Sequence, residues 1–205
     1  MKTALRACSI TLRELLREAL VLDSELDAFF DPGQGGTMVV TLDTPQELIA
    51  LHQEGVSLWL YRVRRDEQTL NRPPRRIAPD RIVPPPLPLR LYYLLVPIVD
   101  HQIRPQAPEL EQHVLGKALQ VFNDQPTVRG SLLLDDLAGS DLEISVRLET
   151  MTLEEITRVW DALDQPYQLS VSYEVSVVPI ASGRAVDAVT PVDTALPEYG
   201  VAEVT

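Results

Sequence analysis

The side chains best suited to chemistry in this 205-residue sequence are few: one cysteine, Cys8, and three histidines, His52, His101 and His113. A zinc site needs Cys and His at short, repeated spacings; these histidines stand far apart in the chain, and none has such a spacing to Cys8. Asp100 and His101 are adjacent, but neighbours on an extended chain point to opposite sides and do not form a polarised base. The run Gly33-Gln34-Gly35-Gly36 lacks the lysine of a phosphate loop and the glycine spacing of a dinucleotide fold, and reads as a turn. No Gly-x-Ser-x-Gly elbow occurs. Glu143, Glu149, Glu154 and Glu155 offer carboxylates, yet a solvated strand edge and a helix cap explain them more simply. The expectation is a protein that is not an enzyme, with no catalytic residue, cofactor, metal or small-molecule substrate. A lone cysteine forms no internal disulfide, and Cys8 is expected as a buried structural thiol.

One charge pattern suits binding. From Arg62 to Arg81 seven arginines stand against three acids, a local net of +4, whereas from Val99 onward six basic residues stand against eighteen acidic ones, a net of -12. Opposite charges on different faces can meet when subunits join head to tail. The candidate partner-binding residues are therefore Arg64, Arg65, Arg72, Arg75, Arg76 and Arg81. A solvated loop is the plain alternative.

The elements that must position these arginines follow from periodicity. Leu5, Cys8, Leu12, Leu15, Ala19 and Leu22 step by three and four, which gathers them on one helix face. Asp31-Pro32-Gly33 and the glycines after it end that helical region. Strands are expected at 37–42 and 56–63, with a helical turn entered at Pro45 between them. Residues 64–88 hold seven of the 17 prolines and are expected as an irregular Pro/Arg-rich arm. A strand at 89–96, a helix at 108–123 and a strand at 142–148 follow. Thr152 and Glu155 form a capping box for a helix burying Leu153, Ile156, Trp160 and Leu163, with Met151 and Ile156 placed as a hydrophobic staple. The last strand alternates Leu169, Val171, Tyr173, Val175 and Val177 with polar residues. Residues 183–205 have no periodicity and read as a C-terminal arm or disordered tail. The order predicts a single α+β domain over 1–182, a mainly antiparallel or mixed sheet packed by helices.

Bulk properties set outer bounds. Hydrophobic residues make up 45% and charged residues 23%, so a core can form. A net charge of -12 opposes nucleic acid as a general partner. No apolar run approaches the roughly 20 residues needed to span a bilayer, so membrane insertion is not expected. Met1 to Thr11 has no signal-peptide pattern, which suggests cytoplasmic synthesis.

Three blocks carry a family resemblance. The first runs from Pro85 to Pro97 (PPLPLRLYYLLVP) and the second from Leu115 to Asp124 (LGKALQVFND). The third and most specific runs from Leu153 to Pro179 (LEEITRVWDALDQPYQLSVSYEVSVVP). In this order they resemble the cap, or tail-terminator, family of phage-tail-like contractile injection systems, over roughly residues 5 to 182. The resemblance implies a structural subunit of a hexameric ring. That ring would close the end of an inner tube and contractile sheath, with the tube and sheath proteins as partners. Separately from the resemblance, synthesis and assembly are expected in the cytoplasm, as a component of an injection particle that is released or remains intracellular. The alternative is a phage tail connector that contacts DNA or a portal complex.

Overall fold

The computed structural model describes residues 2–69, 73–78, 80–184 and 187–188. Helix α1 (Ala4–Val21) buries the row Ala4, Cys8, Leu12, Leu16 and Leu20, with Ala7 and Thr11 beside it. The periodicity also puts Leu15, Ala19 and Leu22 on this face, but Leu15 and Ala19 are only partly buried and Leu22 is exposed. Leu15 and Leu16 offer two competing stripes. The row that packs steps by four, and such a row is inclined to the helix axis, so the buried stripe winds around α1. A short helix α2 (Asp27–Phe30) and a 3-10 turn at Pro32–Gln34 follow. The Asp31 carboxylate accepts the Gly33 N–H at 2.8 Å, and Gly35 closes the turn at φ +85°.

Strand β1 (Val39–Thr41), helix α3 (Pro45–Ala50) and strand β2 (Gly55–Arg65) form a tight crossover. Thr44 and Glu47 complete a capping box that fixes the start of α3. β1 and β2 pair in parallel, with Val39 opposite Gly55. Gly55 has φ +146°, and a Cβ there would lie 2.0 Å from the Val39 carbonyl oxygen. Only glycine fits this crossing.

Among the described residues beyond β2 lie β3 (Arg75–Ala78), β4 (Arg81–Val83), β5 (Leu87–Ile98), helix α4 (Ala107–Asp124), β6 (Thr127–Arg129) and β7 (Glu143–Leu148). Helix α5 (Leu153–Ala162), β8 (Val171–Ile180) and the two-residue β9 (Asp187–Ala188) follow. Six strands form one sheet in the order β1-β2-β5-β8-β7-β6. All neighbours are antiparallel except β1 and β2. The fold is thus the expected α+β, with a mixed, mainly antiparallel sheet.

Helices cover both faces of the sheet. On one, α1 and α4 pack Cys8, Leu12, Leu16, Val114 and Phe122 against Leu91, Tyr93, Leu95, Tyr173 and Val175. On the other, α3 and α5 pack Leu48, Ile156, Trp160 and Leu163 against Leu94, Val96 and Ile98. Alternate residues of β5 therefore serve two cores, which is why its sequence is almost continuously apolar. Bulges adjust the register, between Leu60 and Arg62 on β2 and next to Val178 on β8. The latter turns Val178 into the same core as Val175.

Two expectations need correction. Leu153 is 70% exposed: it opens the first turn of α5 on the solvent side, and Ile156 and Trp160 alone in that helix are buried. Residues 64–88 are not irregular throughout. β2 runs on to Arg65, β5 begins at Leu87, and β3 and β4 form an antiparallel hairpin between them. Pro73 and Pro74 precede the hairpin and Pro84 to Pro86 follow it, so these prolines bound strands rather than prevent them. β9, in the segment expected as a tail, pairs with β4 through Arg81–Ala188 and Ile82–Asp187.

Candidate partner interface

The basic segment is built at one end of the main sheet, where β2 finishes and β5 starts. Its anchor is Arg90, which the sequence reading did not single out. Arg90 Nε donates to Asp66 Oδ1 at 2.7 Å and Nη1 donates to Glu174 Oε1 at 2.6 Å. One guanidinium thus ties the end of β2 to β5 and β8. Asp66 is 1% exposed, and its N–H donates to the Pro88 carbonyl at 2.9 Å. The Thr69 hydroxyl and then Arg90 hold the Asp66 carboxyl below its ordinary pKa, and the Asp66 bond pushes Arg90 up. A hydrogen-bonded carboxylate between prolines and arginines is hard to find from sequence, because its partner lies 24 residues away.

Arg64 and Arg65 end β2 opposite Arg90 and Leu89, and both are exposed. Like charges directly opposite repel; Arg64 beside Arg90 is tolerated because two carboxylates already hold Arg90. Arg62 lies 5.2 Å from the centre of the Tyr92 ring, and the Tyr92 hydroxyl donates to Glu174 Oε2 at 3.0 Å. Beyond Ser57 the outer edge of β2 has no strand partner among the described residues. The bulge and these arginines blunt that edge against strand addition.

Arg75 and Arg76 lie on β3 and Arg81 on β4, all exposed. Arg72 lies outside the described residues. The hairpin has its own bulge: Arg76 pairs with Ile82 and Ala78 with Arg81, which leaves Ile77 without an opposite residue. Ile77 is 48% exposed. The structure therefore sorts the candidate arginines into a pair closing the main sheet, Arg64 and Arg65, and a set on a projecting hairpin.

At the opposite end of the main sheet, beside Gly55 and Ile98, lies an open cleft of about 580 Å³. Ile49, Pro97, Ile98, Tyr167 and Leu169 give it an apolar lining. Glu54 belongs to it but is engaged: Arg104 donates to both of its oxygens at 2.9–3.0 Å. Asp100 and Glu111 have no lysine or arginine partner among the described ion pairs. His52 and His101, 49 residues apart, meet on the walls of this cleft, which their spacing concealed. His101 Nε2 lies 3.0 Å from Glu111 Oε1, not on the adjacent Asp100. His113 pairs instead with Glu25 at 3.1 Å. No group of three or more His, Cys, Asp or Glu among the described residues is placed to hold a metal ion. Cys8 is fully buried, and burial pushes its thiol up to about 12. No helix among the described residues is long and apolar enough to cross a membrane.

Two solved structures share this architecture. One is the sheath/tube terminator, in the extended state, of an extracellular contractile injection system, PVC. It matches at a TM-score of 0.63 and 18% identity over 97% of this chain and 64% of its own. The other is the tube-terminating cap of the anti-feeding prophage, with a TM-score of 0.58 and 17% identity over 91% of this chain and 59% of its own. The fold is therefore that of the tail terminators of contractile injection systems. The chain belongs to the family described as the Pvc16 N-terminal domain, which matches residues 8–194. It spans less than two thirds of the length of either solved terminator. No match to a curated protein sequence is found.

Proposed function

We propose that this chain is a structural terminator subunit, assembled in the cytoplasm, that forms a ring and closes the end of an inner tube and its contractile sheath. The observation that carries this reading is the family match over residues 8–194, together with a terminator fold that extends over 97% of the chain. Physical features support it. A lid must match a ring below it and must not recruit another above. A subunit whose long strand edge is blunted by arginines and a bulge resists open-ended sheet growth. Its two ends differ in charge and shape, which suits contacts that repeat around a ring, six-fold by the family resemblance. Tube and sheath proteins are the partners this role requires, and it asks for no cofactor or substrate.

Particles from a strain lacking this gene test the proposal. Electron microscopy is expected to show tubes of variable length with open ends, restored to uniform capped particles when the gene is supplied in trans. Uniform, capped particles in the deletion strain would overturn it.

A further inference from the structure

We propose that the cleft beside Ile98 receives the β3–β4 hairpin of a neighbouring copy, a contact that rests on the ring reading above. The two features lie at opposite ends of one subunit. β2 runs from Gly55 at the cleft to Arg65 near the hairpin, and its 11 residues span about 35 Å at roughly 3.3 Å each. Only residues 84–86 separate β4 from β5, and the four Cα steps across them reach about 14 Å at most. The hairpin therefore stays at the far end of its own subunit and can fill only another subunit's cleft.

The chemistry of the two surfaces is complementary. The bulge frees Ile77 from a cross-strand partner, and a bulge is a device for re-aiming a side chain. Arg75 and Arg81 stand two and four residues from it, and neither makes an ion pair among the described residues. The cleft offers the converse: an apolar lining, with Asp100 and Glu111 lacking arginine or lysine partners. An aliphatic anchor in an apolar pocket, rimmed by charges of opposite sign, is the usual anatomy of a specific contact. Its volume of about 580 Å³ accommodates one aliphatic side chain with the stems of flanking arginines laid along the walls. Because the two surfaces differ, the contact is heterologous, and repetition closes it into a ring when the rotation between copies allows.

Engineered cysteines test this directly. Copies carrying Ile77→Cys are mixed with copies carrying Leu169→Cys under mild oxidation and separated without reductant. Native Cys8 can remain, since its thiol is fully buried. A two-chain species specific to the mixture is expected, with a yield falling about tenfold when Arg75→Glu and Arg81→Glu are added, because opposite rim charges steer encounter. Leu153→Cys, exposed on α5 and outside the cleft lining, replaces Leu169→Cys in the control mixture. The native mass of the wild-type protein, alone and with purified tube protein, is measured in parallel. A multimeric wild type whose Leu169 mixture links no more than the Leu153 control overturns the hairpin docking and leaves the ring standing. A wild type that stays monomeric in both conditions overturns the ring reading and this contact together.

Discussion

Replacing Trp160 with alanine removes the largest side chain from the smaller of the two cores. Trp160 is fully buried among Leu48, Leu94, Val96, Ile98, Ile156 and Leu163, and its Nε1–H donates to Ser170 Oγ at 3.0 Å. A tryptophan buries about 150–250 Å², which at roughly 25 cal/mol/Å² sets an upper limit of about 4–6 kcal/mol. Measured truncations of this kind cost about 3–5 kcal/mol, and the lost hydrogen bond adds about 1 kcal/mol. Ile156 is then the one buried residue left within α5, so the helix has little with which to close the gap. The expected loss is about 4–5 kcal/mol, a large part of the roughly 5–15 kcal/mol that holds such domains together. Urea unfolding followed by the fluorescence of Trp59, which packs against the same cluster, gives the measurement. Trp160→Phe keeps an aromatic ring and loses the hydrogen bond, and is expected to cost about 1–2 kcal/mol. If the alanine variant unfolds within about 0.5 kcal/mol of wild type, the size of a neutral surface change, then Trp160 does not hold α5 to the sheet.

Two further perturbations probe the crossover and the clamp. Gly55→Ala puts a Cβ 2.0 Å from the Val39 carbonyl in a backbone conformation of φ +146°; a loss of about 3 kcal/mol or more is expected, and an unchanged thermal midpoint would contradict it. Asp66 has a folded pKa below its unfolded value of about 3.9. Its contribution to stability is therefore complete above about pH 4 and is lost as pH falls through the folded value. Asp66→Asn is expected to flatten that part of the acid limb in urea midpoints taken from neutral pH downward. Parallel losses in wild type and variant would show that the clamp does not titrate as argued.

Long, strongly patterned elements were legible in the sequence. α4, α5, β5, β7 and β8 lie within a few residues of where periodicity put them, because each repeats a buried side chain at its own period. Where two answers share one period, the pattern fails to choose: Leu15 and Leu16 both fit a helical stripe, and only the sheet beneath selects Leu16. The hairpin was hidden by its prolines, whose number suggests an irregular arm although their positions bound the strands. β6 and β9 have three and two residues and owe their existence to partners elsewhere. The candidate arginines were found by composition, but their division between the main sheet and a hairpin was not. The cleft escaped altogether, since its walls come from α3, the end of β5, the start of α4 and the segment before β8. Convergence of that kind leaves no local signal in sequence.

The place of β8 between β5 and β7 has a consequence for how the chain comes off the ribosome. β2 and β5 are near neighbours in sequence and can pair as soon as Ile98 has emerged. The other edge of β5, from Leu87 to Leu95, stays without its partner until β8 is made, beginning about 70 residues later. At roughly 5–20 residues per second, that interval lasts about 4–14 s. Throughout it the most apolar strand of the protein shows an unpaired edge, the template that strays into aggregation. Yield on expression should therefore rise with cooler growth or added chaperones, and a nascent chain stalled before Val171 should be far less soluble than one stalled after Ile180.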